Sequence, residues 1–333
     1  MARRLIDSFD AILSDLDGVV YAGPGAIPEA PESLERAKSE GVPVMFVTNN
    51  ASRAVETVAE HLSELGVATR GQDVVSSAQA AARLLSDRLP AGARVLITGA
   101  KALSDYVAEA GLTPVRSQHD DPVAVVQGFD PEIGWSDLAE AAYTLADDSV
   151  IWIATNTDGS IPRERGIAPG NGTLVEAVGR ATGRTPEVAG KPEAPIFRTG
   201  AQRLGAQRPL VVGDRLDTDI LGGNRAGFAT ALVLTGVDTV RTALGAVTDE
   251  RPDHLIADLT GLFAPEAELS VEDSDGTRIA RCGAAEATAD DDGLRVRGDE
   301  DDLDAWRAAC AAWWSRHPQV ETASTPDIQW SAP

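Results

Sequence analysis

Asp15 and Asp17, two carboxylates one residue apart, follow the apolar run Ala11-Ile12-Leu13 and precede Gly18 directly. Such a run reads as a buried strand that stops where the aspartates begin. Residues two apart in an extended segment share a face, so both side chains could look into one site. In an open parallel sheet, chemistry collects outside the carboxyl ends of the strands. A carboxylate pair there can attack as a nucleophile, carry protons or hold a metal. Taken alone, the stretch is read as plainly as a strand-end turn rich in Asp and Gly.

Three further segments show the same design. Val44-Met45-Phe46-Val47 runs into Thr48-Asn49-Asn50, and Leu210-Val211-Val212 runs into Gly213-Asp214-Arg215-Leu216-Asp217-Thr218-Asp219. Gly190-Lys191-Pro192 opens a turn before a helical stretch. Each again has a plainer reading: a turn, a helix N-cap, a solvated lysine. Together they deliver a hydroxyl, an ammonium and further carboxylates to one edge of one sheet, and coincidence explains that poorly.

The elements that must position these groups alternate strand and helix. The expected helices cover about 30–40, 53–65, 78–85, 101–110, 136–146 and 194–204, and glycine closes several of them. The expected strands cover 11–13, 42–47, 74–75, 94–99, 123–127, 150–154, 209–212, 230–234 and 253–256. A loop is expected across Pro162 to Gly172. From about 265 the character changes: 16 acidic residues stand against 6 basic ones. Leu269–Val271, Arg278–Arg281 and Leu294–Val296 are short strand candidates, and Leu303, Trp306, Cys310 and Trp313 form a stripe at helical spacing. The fold class expected is α/β, a doubly wound and mainly parallel sheet with an inserted α/β unit and a small C-terminal α+β module.

Composition narrows the class. The chain has 333 residues, 43% hydrophobic and 24% charged, with a net charge of -23. That charge argues against a nucleic-acid or anionic-membrane partner, either of which wants a basic face. No apolar run approaches the roughly 20 residues that cross a bilayer, and Arg3-Arg4 leads into no apolar leader segment. The expected location is therefore cytoplasmic, with Cys282 and Cys310 as buried thiols. The four histidines show no metal-ligand spacing, so a zinc site or a histidine triad has little material.

The segments Asp15-Leu-Asp17-Gly-Val, Val47-Thr-Asn-Asn50, Gly190-Lys-Pro192 and Val212-Gly-Asp-Arg-Leu-Asp-Thr-Asp-Ile220 resemble the four motifs of haloacid dehalogenase-like (HAD) hydrolases. The resemblance covers about 10–262. The unit between the second and third motifs, with Ala154-Thr-Asn-Thr-Asp158 and Pro169-Gly-Asn-Gly172, is similar to the large α/β cap of the NagD-like phosphatases. The cap's usual Asn-Pro-Asp stands here as Asn156-Thr157-Asp158. The tail resembles the one carried by some actinobacterial glycerol-3-phosphate phosphatases. The implied domains are 1–77 and 189–264 as a Rossmann-like catalytic core, 78–188 as the specificity cap, and 265–333 as an acidic module of unassigned role.

The resemblance implies a Mg2+-dependent phosphatase. Asp15 is the expected nucleophile, forming an aspartyl-phosphate, and Asp17 the general acid and base. Thr48, with Asn49 through its main chain, is expected to bind the phosphoryl oxygens, and Lys191 to offset charge there. Asp15, the Asp17 carbonyl and Asp214 are the implied Mg2+ ligands. Asp219, ahead of Asp217, is the expected partner of Lys191 or of a metal-bound water. Retention of Asp17 favours phosphoryl transfer over dehalogenation, because a halide leaving group needs no acid. The expected substrate-binding residues of the cap are Asn156, Asp158, Arg163, Arg165, Asn171 and Gly172. The expected partner is a small phosphorylated metabolite, with glycerol 3-phosphate ahead of phosphoglycolate, pyridoxal phosphate and nucleotides. A phosphosugar mutase and a bifunctional protein with a partner-binding tail are the alternatives, and a homo-oligomer stays open.

Overall fold

The structure, a computed structural model, describes residues 3–332 apart from 164, 266, 275 and 292. It comprises two compact units: Met1–Val44 with Leu65–Val67 and Leu204–Pro333, and Met45–Glu64 with Ala68–Arg203.

In the first unit, the strands Ala11–Ser14, Pro209–Gly213, Ala229–Val233 and His254–Ile256 lie side by side in that order, all parallel. Leu13 stands opposite Val211, and Val211 opposite Thr230. The first two strands are buried at every position, as expected of parallel strands covered on both faces.

The tail belongs to this unit and adds a second sheet. Its strands Leu269–Ser274, Thr277–Cys282, Ala285–Asp290 and Gly293–Arg297 form an antiparallel meander, and Ile328–Ser331 joins the last of them in parallel. The helix Leu303–Arg316 carries the predicted stripe: Trp306 and Cys310 are buried in one core with Ala280, Ala287 and Val296. Leu232, Leu244 and Leu255 belong to that same core. The acidic module is therefore packed onto the edge of the parallel sheet. Both cysteines are free and buried, as expected. Ala285–Asp290, absent from the sequence reading, alternates buried alanine with half-exposed polar residues. The period of two is present, but alanine makes it a faint signal.

The second unit holds a five-stranded parallel sheet in the order Glu187–Val188, Ile151–Ala154, Ala124–Gln127, Arg94–Thr98, Thr113–Val115. Val44–Thr48, which starts at the unit boundary, pairs in parallel with Val74–Ser76. The loop expected across 162–172 is instead a hairpin, Ser160–Arg163 with Gly166–Pro169, followed by a helix, Asn171–Thr182. Two prolines concealed the hairpin, but a two-stranded ribbon has only edge strands, where a missing N–H is tolerated. Gly172 and Gly179 concealed the helix. Close packing explains the first of these, because a Cβ at Gly172 would lie 2.1 Å from the Thr157 carbonyl oxygen.

Candidate active site

The first unit gathers three of the predicted carboxylates. Asp15 leaves its strand with its N–H donating to the Val212 carbonyl at 2.9 Å, and Asp214 leaves the neighbouring strand one residue after Gly213. One oxygen each of Asp15, Asp214 and Asp219 lie within 4.8 Å of one another. Asp214 and Asp219 are almost fully buried, at 2% and 1% exposure. Carboxylates are rarely buried so deeply without a partner.

Glycines make the cradle. Gly18 has φ +78°, and a Cβ there would fall 2.3 Å from Asp214 Oδ2. A Cβ at Gly236 would fall 2.0 Å from the same oxygen, and one at Gly213 would fall 2.1 Å from Asp219 Cβ. The Val237 N–H donates to Asp214 Oδ2 at 2.8 Å, and Thr235 Oγ1 donates to the Gly18 carbonyl at 2.6 Å. The sequence reading missed this second wall. Its signal was present in Leu232-Val233-Leu234-Thr235-Gly236, a further apolar strand running into a small, polar turn.

Asp219 is presented by a tight turn, Leu216–Ile220, wound as a single π-helical turn; such turns recur at functional sites. Its Oδ2 accepts from the Arg215 N–H at 3.3 Å. Asp217 points elsewhere: it holds the Arg215 guanidinium through two contacts of 3.0 and 2.8 Å. That bidentate pairing drives the guanidinium pKa above its ordinary value. Of the two candidates, Asp219 is the one gathered with Asp15 and Asp214. Asp17 is exposed, and its Oδ2 lies 3.5 Å from the donating Tyr21 hydroxyl.

The second unit gathers the other predicted groups around Asn49. Its side-chain amide brackets Lys191: Oδ1 accepts from the Lys191 N–H at 2.8 Å, and Nδ2 donates to the Lys191 carbonyl at 3.1 Å. Nδ2 also lies 3.3 Å from Asp158 Oδ1. The Asn49 carbonyl accepts from Ser77 Oγ and from Asn156 Nδ2, both at 2.8 Å. Gly190 permits this approach, since a Cβ there would lie 2.5 Å from Asn49 Oδ1. Lys191 is buried. Thr48 ends its strand opposite Ser76, and its Oγ1 accepts from the Asn50 N–H at 3.1 Å.

The expected cap residues divide. Asn156 and Asn171 are buried, and their amides hold main chain: Asn171 Nδ2 donates to the Asn156 carbonyl at 2.7 Å. Their side chains work as scaffold for the Asn49–Lys191 arrangement. Gly172 is packing space, and its N–H donates to the Asp158 carbonyl at 2.8 Å. Asp158 and Arg165 are exposed. The Arg163 side chain lies outside those described. The side-chain bracket on Lys191 was not legible in the sequence, where Asn49 figured only through its main chain.

A family model described as haloacid dehalogenase-like hydrolase matches residues 12–113, and a HAD-hydrolase-like model matches 188–262. The chain is 44% identical over 313 residues to the D-glycerol 3-phosphate phosphatase of Mycobacterium tuberculosis, covering 94% of this chain and 88% of that one. It is 37% identical to an acid sugar phosphatase of Staphylococcus aureus over 70% of this chain and 89% of that one. Among solved structures, the M. tuberculosis glycerol phosphate phosphatase in complex with magnesium superposes with a TM-score of 0.82 at 40% identity, covering 99% and 96% of the two chains.

Proposed function

The chain belongs to the haloacid dehalogenase-like hydrolases and is a phosphatase; on that footing we propose that it hydrolyses D-glycerol 3-phosphate to glycerol and phosphate with Mg2+. The observation that carries the reaction type is the convergence of half-buried Asp15 with buried Asp214 and Asp219 just beyond the carboxyl ends of adjacent parallel strands. The substrate rests on the M. tuberculosis relative, whose likeness extends over 94% of this chain.

Phosphate-monoester hydrolysis is among the slowest uncatalysed reactions, so the site must above all stabilise charge. The oxygens of Asp15 and Asp214, with the Asp17 carbonyl, suit Mg2+, a hard cation that prefers oxygen donors. When bound there, the ion offsets the repulsion between a carboxylate and a phosphoryl dianion. In this reading Asp15 attacks phosphorus and displaces the alkoxide, which splits one hard step into two. Asp17 protonates the departing glycerol oxygen, then takes a proton from the water that releases phosphate from Asp15. Its exposure beside Tyr21 suits a group that must exchange protons. Lys191 and Thr48 serve the phosphoryl oxygens, and Asn49 fixes where the Lys191 main chain sits.

The segment 78–188 acts as the cap that reads the glycerol moiety, with the exposed Asp158 and Arg165 as side chains that meet substrate. A cytoplasmic setting belongs to the same proposal. It is supported by two free cysteines, and among the described residues no helix is long and apolar enough to cross a membrane.

The test is phosphate release from glycerol 3-phosphate, phosphoglycolate, pyridoxal phosphate, sugar phosphates and nucleotides, with Mg2+ and with chelator. Metal-dependent release that is fastest from glycerol 3-phosphate is expected. Equal release from all of them refutes the substrate assignment, and release that survives chelation refutes the metal.

A further inference from the structure

The acidic tail reaches the carboxylate site through two sets of hydrogen bonds inside the first unit, joined by the main chain of residues 237–245. The first set starts at Asp214. Its Oδ2 accepts from the Val237 N–H, and its carbonyl accepts from the Asp238 N–H at 3.0 Å. Asp238 closes the clamp: its Oδ2 accepts from the Leu216 N–H at 2.7 Å. Three bonds thus tie segment 237–238 to the loop that carries Asp214 and Asp219.

That segment leads directly into the short helix Val240–Leu244, capped by Thr239. The tail holds this helix at its exit. Trp314 Nε1 donates to the Leu244 carbonyl at 3.1 Å, the Ser324 N–H to the Gly245 carbonyl at 3.0 Å, and Thr325 Oγ1 to the Arg241 carbonyl at 3.2 Å. The following turn is tied as well, its Thr248 N–H donating to the Val320 carbonyl at 3.0 Å. Gly245 leaves no slack, since a Cβ there would lie 2.6 Å from Thr325 Oγ1 and 2.8 Å from Thr325 N.

We propose that the segment 318–325 is a strap by which the C-terminal module positions Asp214 for Mg2+. Groups that orient a ligand from behind set metal affinity, and a five-residue helix has little rigidity of its own. The inference rests on the reading of Asp214 as a Mg2+ ligand, and the experiment separates the two.

Mg2+ binding is titrated calorimetrically on the full chain and on Asp214→Asn, Thr325→Ala and Gly245→Ala, with thermal unfolding of each in the absence of metal. Asp214→Asn should abolish binding. If it binds as the wild type does, the ligand assignment itself is wrong. The strap variants should remain folded and bind Mg2+ several-fold more weakly. That is less than the roughly 10- to 100-fold losses seen when a group bonded directly to a metal ligand is removed, because the strap acts on Asp214 through segment 237–245. Thr325→Ala, which only deletes a hydroxyl, keeps the test open if Gly245→Ala fails to fold. Strap variants with lowered melting temperature and unchanged Mg2+ affinity, beside an Asp214→Asn chain that binds no Mg2+, would show that the tail only stabilises the fold.

Discussion

Substituting Gly236 by alanine should remove most activity without touching a reactive group. The Cβ would lie 2.0 Å from Asp214 Oδ2 and 2.5 Å from both Asp214 Cβ and Cγ. Carbon and oxygen do not pack closer than roughly 3.3 Å, so Oδ2 must retreat by more than about 1 Å. Because Asp214 Cβ is itself too close, rotation of the side chain cannot absorb the clash, and the main chain around it has to shift. The 2.8 Å bond from the Val237 N–H is lost in that move. Mg2+ demands oxygens at about 2.0–2.1 Å in near-octahedral geometry, and a misplacement of about 1 Å costs on the order of a hundredfold in rate. The expected drop in kcat/KM is therefore about 100-fold, or about 2.7 kcal/mol. Overpacking should also lower stability by about 1–3 kcal/mol. The assay is phosphate release from glycerol 3-phosphate across a Mg2+ series, beside thermal unfolding. Gly25→Ala is the control, since a Cβ there meets nothing within 4 Å, and it should behave as wild type. A folded Gly236→Ala protein within twofold of wild type at every Mg2+ concentration would refute the cradle argument.

Asp15→Asn should unfold at the wild-type temperature and release no phosphate; a burst or steady turnover from the purified variant would remove Asp15 as nucleophile. Asp17→Asn should slow glycerol 3-phosphate hydrolysis by about 10²- to 10⁴-fold. It should slow p-nitrophenyl phosphate far less, because that leaving group departs without a proton, and equal losses on both substrates would count against an acid role. Asn49→Ala deletes the two bonds to the Lys191 main chain. At about 1 kcal/mol each it should cost about 2 kcal/mol by denaturant titration, and an unchanged midpoint would show the bracket to be idle. Burial pushes the Cys282 thiol up to about 12, and Cys310 higher still. The native chain should therefore resist a thiol reagent at pH 8 until it is unfolded. The folded chain keeps protons that the unfolded chain releases near pH 8.5, so stability should be full below that pH and fall as pH rises toward 12. A rising stability between pH 8 and 10 would contradict this.

The chemical inventory was legible in the chain because it is local. A parallel strand is an apolar run, its carboxyl end is a turn, and whatever polar residue follows must stand at the sheet edge; Asp15, Thr48 and Asp214 are each read that way. The helical stripe of Trp306 and Cys310 was equally legible, because helix periodicity needs no partner to be visible. The sequence ranked Asp219 above Asp217; in the structure Asp219 lies with Asp15 and Asp214, while Asp217 holds the guanidinium of Arg215. What the tertiary structure alone decided is which backbones come close. The bracket of Asn49 on Lys191 spans 142 residues, and nothing near Asn49 announces it. The exclusion of a Cβ at Gly236 becomes visible only when Asp214 is placed beside it. The strap of residues 318–325 is polar and irregular in sequence. Its place is set because the tail buries its alanines and Trp306 in the same core as Leu232, Leu244 and Leu255, with Trp313, Trp314 and Trp330 packed against it. Long-range packing of small residues leaves little trace in a local pattern, since alanine and glycine signal through the space they do not fill.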